Sequence, residues 1–261
     1  MTDLSENKLG DGDIIAVIPA RHGSTRFPGK MLAPLGGKPL VLHAWENACK
    51  ATKIQRVLVA TDNEEIASVV REAGGEAIMT PEGCPSGTDR VACAAEGVGC
   101  SWVVNIQGDE PFISPSVLDQ WVGALGDFPM ATLARPMDAD EPLDDPNRVK
   151  VVVAQDGRAL YFSRSRVPFD RDQGANPGGE MAPIYHHLGL YAYRPETLRQ
   201  LVSLPPSPLE KREMLEQLRA LENGIDIQVI LQSVRLLGVD TPEDLKEAEK
   251  ALQGRQKTCT V

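Results

Sequence analysis

Residues 14–30 read IIAVIPARHGSTRFPGK. An apolar run ending at Ala20 passes into a turn that carries Gly23, Ser24 and Gly29 among three cations, Arg21, Arg26 and Lys30. This combination suits a polyanion. Glycine lets backbone N–H groups approach closely, and fixed cations neutralise phosphate oxygens. A P-loop is the obvious rival, and its spacing fails. Five residues separate Gly23 from Gly29, and Met31 follows the lysine where Ser or Thr would be needed. GxGxxG is absent too, so there is no dinucleotide fingerprint. The bland alternative is a solvated basic loop. Against it stands the position at the C-terminal end of an expected strand, where open α/β sheets bind ligands.

Two acidic residues could hold a hard cation against such an anion. Asp109 follows the apolar run 102–106 through Gln107 and Gly108, and Asp240 follows the apolar stretch 234–239. Both are expected where strands emerge at one edge of a sheet. Magnesium commonly takes one or two carboxylates from protein and fills its shell with phosphate oxygens and water. Taken singly, Asp109 also fits a turn cap and Asp240 a position before a helix cap.

The elements that must position these residues are legible as periodic runs. Strands are expected over 14–18, 56–60, 76–79 and 102–106, alternating with helices over 39–51, from Asp62 (with Glu65 at capping-box spacing) to Gly74-Gly75, and over 86–96. That alternation predicts an α/β fold: a mostly parallel central sheet covered by helices on both faces, in a single domain over 13–253. Polar tails are expected over 1–12 and 254–261. The second half changes character. Runs 149–154 and 158–163 flank Gln155-Asp156-Gly157, a hairpin signal. Residues 171–183, rich in Gly, Pro and Asn, read as a long loop and a candidate lid. A strand over 187–193, a helix over 208–221, a turn at Asn223-Gly224, a strand over 227–231 and a helix from Thr241 to about 252 complete the chain. On the 208–221 helix, Glu210, Glu213 and Gln217 would share one face. A helix so rich in Glu, Lys and Arg is by default a solvated face.

Composition narrows the function classes. The chain has 261 residues, 42% hydrophobic and 25% charged, with a formal net charge of −10. That acidity argues against broad nucleic-acid or membrane-surface binding, which needs a basic footprint. An anionic substrate must therefore meet a local cationic cluster. No apolar run approaches a membrane span, and residues 1–12 lack a signal-peptide core, so a cytoplasmic location is the default expectation. The cysteines, Cys49, Cys84, Cys93, Cys100 and Cys259, are odd in number and form no CxxC pair. Neither a zinc site nor a disulfide framework is indicated, and buried inert thiols are expected.

At these residues the sequence resembles the sugar-nucleotide cytidylyltransferases, and within them the 3-deoxy-manno-octulosonate (KDO) cytidylyltransferase family. The matching blocks are IPARHGSTRFPGK (18–30), ATD (60–62), SGTDR (86–90), NIQGDEP (105–111), LYFSR (160–164), HLGLY (187–191), SPLEKREMLEQLR (207–219) and GVDTPEDL (238–245). Their joint order over nearly the whole chain is what makes the resemblance specific. It implies a Rossmann-like nucleotidyltransferase fold, CTP and an acid sugar as substrates, magnesium as cofactor, a homodimer, and a place in lipopolysaccharide synthesis. By the same resemblance Ala20, Arg21, Gly23, Ser24, Arg26, Lys30, Ser86, Gly87, Arg90 and Gln107 line the nucleotide site, and Asp109 and Asp240 hold the metal. Arg21, Lys30, Asp109 and Asp240 are the catalytic set, while Gln107, Arg164, His187, Glu213 and Gln217 take the sugar. Arg164, at a strand end, is the candidate for the sugar carboxylate. His187, taken alone, would more often be a satisfied structural histidine. His22 replaces the family's usual aromatic residue, His186 stands beside the matched His187, and 171–183 matches little. These departures leave amino-KDO or sialic acid open as acceptors, and a catalytically silent nucleotide-binding protein as a rival of another class.

Overall fold

The computed structural model of the chain describes residues 12–24, 26–138, 140–171 and 183–258, with side chains described through residue 254. The elements, in chain order, begin β1 (Ile14–Ala20), β2 (Pro34–Leu35), β3 (Lys38–Pro39), α1 (Leu40–Cys49), β4 (Arg56–Thr61), α2 (Glu64–Glu72), β5 (Glu76–Met79), α3 (Gly87–Ala95), β6 (Trp102–Asn105) and α4 (Pro115–Gly123). They continue β7 (Met130–Pro136), β8 (Lys150–Val153), β9 (Ala159–Ser163), β10 (Tyr185–Tyr193), α5 (Pro195–Ser203), α6 (Pro208–Glu213), α7 (Gln217–Glu222), β11 (Ile227–Leu231) and α8 (Pro242–Thr258). Contacts cluster into two compact units, Met1–Gly123 with Arg235–Val261, and Ala124–Val234. The sequence patterning sets out one domain over 13–253. Apart from residues 171 and 183, the expected lid lies outside the described residues, as do 1–11 of the expected N-terminal tail.

In the first unit β1 pairs in parallel with β4 on one side and β6 on the other, and β4 pairs in parallel with β5. Strands flanked on both sides and covered by helices read as continuous apolar runs. Accordingly Ile15, Ala16, Val17, Ile18, Leu58, Val59, Val103 and Val104 are all 0% exposed. Because the strands are parallel, their C-terminal ends share one edge. Ala20 stands in register with Thr61, and Val17 with Asn105. The loops after β1, β4 and β6 therefore leave the sheet together.

A second apolar cluster fixes the non-sheet part of this edge. Leu35, Leu40, Val239 and Ala248 are fully buried against Phe27, Phe112, Leu237, Leu245 and Leu252. It anchors the loop after β1 at Phe27 and the segment before α8 at Val239. That segment is irregular throughout 232–240, so Asp240 does not end a strand as expected. Instead Thr241 and Asp244 form the reciprocal cap foreseen for α8. Asp244 N–H donates to Thr241 Oγ1 at 3.1 Å, and Thr241 N–H donates to Asp244 Oδ2 at 2.8 Å. Asp240 N–H also donates to Asp244 Oδ2 at 3.0 Å, which holds Asp240 at the helix mouth. The helix runs on to Thr258, past the expected stop near 252. Gly254 disfavours a helix without breaking it.

In the second unit β7 is central, parallel to β11 and antiparallel to β10. β10 also pairs antiparallel with β8, and β8 with β9. The expected hairpin is β8–β9, turning at Gly157 with φ 84°. β7 is not legible in the sequence: MATLARP has neither alternation nor a β-branched run, and its burial comes from its neighbours. The expected helix 208–221 is two short helices. Met214 sits between them in the left-handed region at φ 53° and is 75% exposed. The shared face of Glu210, Glu213 and Gln217 therefore does not exist. Among the described residues no helix is long and apolar enough to cross a membrane.

Candidate active site

The loop after β1 folds back on one carbonyl. Ser24 N–H donates to His22 O at 3.0 Å and Gly29 N–H to the same oxygen at 3.3 Å. Gly29 has φ 71°, a conformation that glycine adopts without strain. Gly23 is not left-handed, and a Cβ there would meet nothing within 4 Å. The fold itself therefore places no demand for glycine at this position. Arg21 and Arg26 are exposed beside this turn.

Lys30 behaves differently. It is 7% exposed, and its ammonium donates to Asp109 Oδ2 at 2.5 Å, Asp240 Oδ1 at 3.0 Å and Val239 O at 3.3 Å. Three N–H donors meet three oxygens, so the ammonium is saturated. Burial alone would lower the Lys30 pKa, but the charge and hydrogen bonds of Asp109 and Asp240 reverse that and leave it raised. Arg26 binds the other oxygen of Asp240 at 2.9 Å. The two aspartates, 131 residues apart by their numbers (240 − 109), thus converge on one cation. Two carboxylates meeting at one point are a donor set that suits a hard divalent ion such as magnesium.

Glu110 completes this acidic corner. Its carboxyl is pushed up to about 8 by burial and by the charges of Asp109 and Asp240, with Lys30 opposing. Its Oε2 is buried without a hydrogen-bond partner. Gly238 faces it: a Cβ there would lie 2.9 Å from Glu110 Oε1. Neither residue is marked by sequence spacing, because their roles arise only when 106–110 and 232–240 meet. Val239 N–H donates to Asp109 O at 2.9 Å, which joins these segments.

The block 86–90 divides in two. Ser86 caps α3, accepting from Asp89 N–H at 3.1 Å, with Gly87 exposed beside it. Arg90 is 3% exposed and donates to Asp62 Oδ2 at 2.7 Å and to the hydroxyl of Thr80. Asp62 in turn accepts from His22 N–H at 3.2 Å. Arg90 therefore acts through Asp62 on the cationic loop. The cap expected of Asp62 falls to its neighbour: Asn63 accepts from Ile66 N–H at 3.0 Å. Two adjacent cap-forming residues hid this choice. Gln107 follows β6, with its Nε2 at 3.4 Å from Asn105 Oδ1.

The second unit carries the remaining candidates. His187 is 6% exposed and packs edge-on to Phe162 with ring centroids 5.0 Å apart. Thr132 gives its hydroxyl proton to Leu190 O at 2.6 Å, so its Oγ1 accepts from His187 Nε2 at 2.8 Å. His187 is then a neutral ring with Nδ1 as acceptor. Burial, with His186 nearby, pushes its pKa down to about 3. Gln217 is 4% exposed with Nε2 unpartnered. Arg164 donates to three carbonyls, Glu213 O at 2.7 Å, Pro146 O at 2.9 Å and Met214 O at 3.2 Å. Glu213 accepts from Ser163 Oγ at 2.7 Å and Arg164 N–H at 3.0 Å. Glu210 instead pairs with Arg219 at 2.5 Å. Arg164 and Glu213 thus also fasten the break at Met214. The thiols depart from expectation: Cys49 and Cys93 are exposed, Cys84 and Cys100 half-buried, and the sulfurs of Cys84 and Cys93 lie 3.9 Å apart. Cys259 lies outside the described residues.

Two outcomes follow from this geometry. Arg90→Ala leaves Asp62 buried without its partner, so urea unfolding should show a loss of about 3 kcal/mol, whereas a purely ligand-facing arginine would leave stability unchanged. His187 has a folded pKa below its unfolded one, so its contribution is complete above about pH 6.5 and falls as the unfolded state takes up a proton. Relative to His187→Phe, wild-type stability should drop by about 2 kcal/mol between pH 7 and pH 5. Parallel urea titrations at the two pH values check it, and an unchanged difference contradicts it.

The chain is similar to known proteins. A family model described as cytidylyltransferase matches residues 15–227. A 3-deoxy-manno-octulosonate cytidylyltransferase of Acidobacterium capsulatum is 46% identical over 94% of this chain and 98% of its own length. An 8-amino-3,8-dideoxy-manno-octulosonate cytidylyltransferase of a Shewanella species is 43% identical over 92% of this chain and 98% of its own. A solved structure of CMP:2-keto-3-deoxy-manno-octonic acid synthetase complexed with CTP superposes with a TM-score of 0.86. It is 38% identical and covers 94% of this chain and all of the other. On the family model over most of its length and on relatives of this identity and coverage, the chain belongs to the cytidylyltransferase family.

Proposed function

We propose that this chain transfers CMP from CTP to the anomeric hydroxyl of KDO and releases pyrophosphate. The observation that carries the proposal is the meeting of Asp109 and Asp240 on one cation beside the loop of Arg21, Arg26 and Lys30. The names of the similar proteins supply the base and the sugar.

The triphosphate is taken by the backbone of Gly23 and Ser24 and by Arg21, Arg26 and Lys30, at the strand edge where Ala20 ends β1. Ser86, Gly87 and Gln107 serve the nucleoside, and Arg90 keeps the loop in place through Asp62. Magnesium held by Asp109 and Asp240 would neutralise phosphate charge and lower the pKa of the attacking hydroxyl. In-line attack on the α-phosphorus then rests on positioning and on charge already neutralised, and no side chain is assigned as general base. Arg164, His187, Glu213 and Gln217, with Gln107, are assigned to the acid sugar. The unpartnered Gln217 Nε2 leaves hydrogen-bonding capacity for a hydroxyl. A cytoplasmic homodimer completes the proposal, as the family resemblance implies. A second acceptor, 8-amino-KDO, is supported by the Shewanella relative.

A coupled pyrophosphate assay with CTP and magnesium tests both. KDO should turn over faster than 8-amino-KDO or sialic acid. Asp109→Asn should cost roughly a thousandfold, about 4 kcal/mol of transition-state stabilisation, with an unchanged circular-dichroism spectrum. CTP binding without turnover on any of the three sugars would overturn the proposal, and near-normal turnover by Asp109→Asn would remove the metal role.

A further inference from the structure

We infer that Lys30 is the resident counter-ion of the metal position and must be withdrawn before a divalent ion can enter, so that nucleotide binding precedes metal binding. The inference rests on the metal assignment of Asp109 and Asp240 made above. Its geometric basis is the saturated ammonium: three donors, each directed at an oxygen of Asp109, Asp240 or Val239, at 2.5, 3.0 and 3.3 Å. Such an ammonium lies where an ion bridging the two carboxylates would have to lie. It also supplies the positive charge that lets the two carboxylates stand together around a buried ammonium. A divalent ion approaching the nucleotide-free site meets carboxylates already paired and a cation in the way. Arg26 adds a second positive charge on Asp240. A triphosphate changes the balance. It offers both cations acceptors of higher charge, draws Lys30 off the carboxylates, and brings oxygens of its own for the metal. Lys30 thus does two jobs in turn. It holds the aspartates together before the nucleotide arrives, then binds phosphate while metal takes its former place. Burial separates Lys30 from Arg21 and Arg26, which are both exposed, although Arg26 also pairs with Asp240.

The test uses the full chain without nucleotide and Mn²⁺ as the probe, with free Mn²⁺ read by electron paramagnetic resonance. Lys30→Met should bind one Mn²⁺ per chain at least tenfold more tightly than wild type, and Lys30→Arg, which keeps the charge, should remain at the wild-type level. Adding Asp109→Asn to Lys30→Met should abolish the gain. Lys30→Gln replaces Lys30→Met if circular dichroism shows the latter misfolded. Equal Mn²⁺ affinity in wild type and the neutral variant overturns the inference, as does a gain that survives Asp109→Asn. Wild-type turnover of CTP and KDO, measured alongside, keeps the two proposals apart. Turnover with no Mn²⁺ gain defeats this inference alone, whereas absent turnover defeats the function.

Discussion

A buried ammonium shared by two carboxylates is the constraint on which the rest of this site depends. Removing Lys30 from water costs free energy, and so does bringing Asp109 and Asp240 together. Each cost is offset only if all three meet. The fold therefore has to deliver three distant segments to one point. Parallel strands deliver two of them. β1 and β6 run side by side and release Lys30's loop and Asp109 at the same edge. The third comes from packing rather than pairing. Val239, buried with Leu35, Leu40 and Ala248, sets the segment from which Asp240 projects, and the Thr241–Asp244 cap fixes its direction. Phe27 belongs to the same cluster, so one apolar patch places both the loop and the aspartate.

Around that point lies a graded electrostatic field. A chain with net charge −10 concentrates three cations at one loop and ties that loop to the half-buried Asp62. Asp62, held by Arg90, accepts from the His22 N–H and so ties the start of the loop to the end of β4. Glu110, pushed toward its neutral form, keeps the corner from carrying a third full negative charge. In the second unit, burial does the corresponding work by keeping His187 neutral and pointing its proton at Thr132.

Much of this architecture is legible in the amino-acid sequence. Continuous apolar runs mark β1, β4 and β6, the loop cations stand out by type and position, and the pairing of the two aspartates comes from the family resemblance. What stays hidden has physical causes. β7 gains its strand character from neighbours, not from its own residues. The helix expected over 208–221 breaks at Met214, a residue that gives no sequence signal for a left-handed turn, and Arg164 and Glu213 hold the break in place. Arg90 resembles a ligand contact by position yet is engaged by Asp62 and Thr80, pairings set by tertiary contact between loops. Asp240 needs no strand behind it, only an anchored valine. Glu110 and Gly238 are unreadable because their relation exists only where two loops cross.

The most direct measurement is an anomalous difference map from crystals of the protein grown with CTP and Mn²⁺. One peak should lie between the carboxylates of Asp109 and Asp240, with Lys30 Nζ bonded to a phosphate oxygen. A peak remote from both aspartates, or Lys30 still seated between them while nucleotide and metal are bound, would contradict the account.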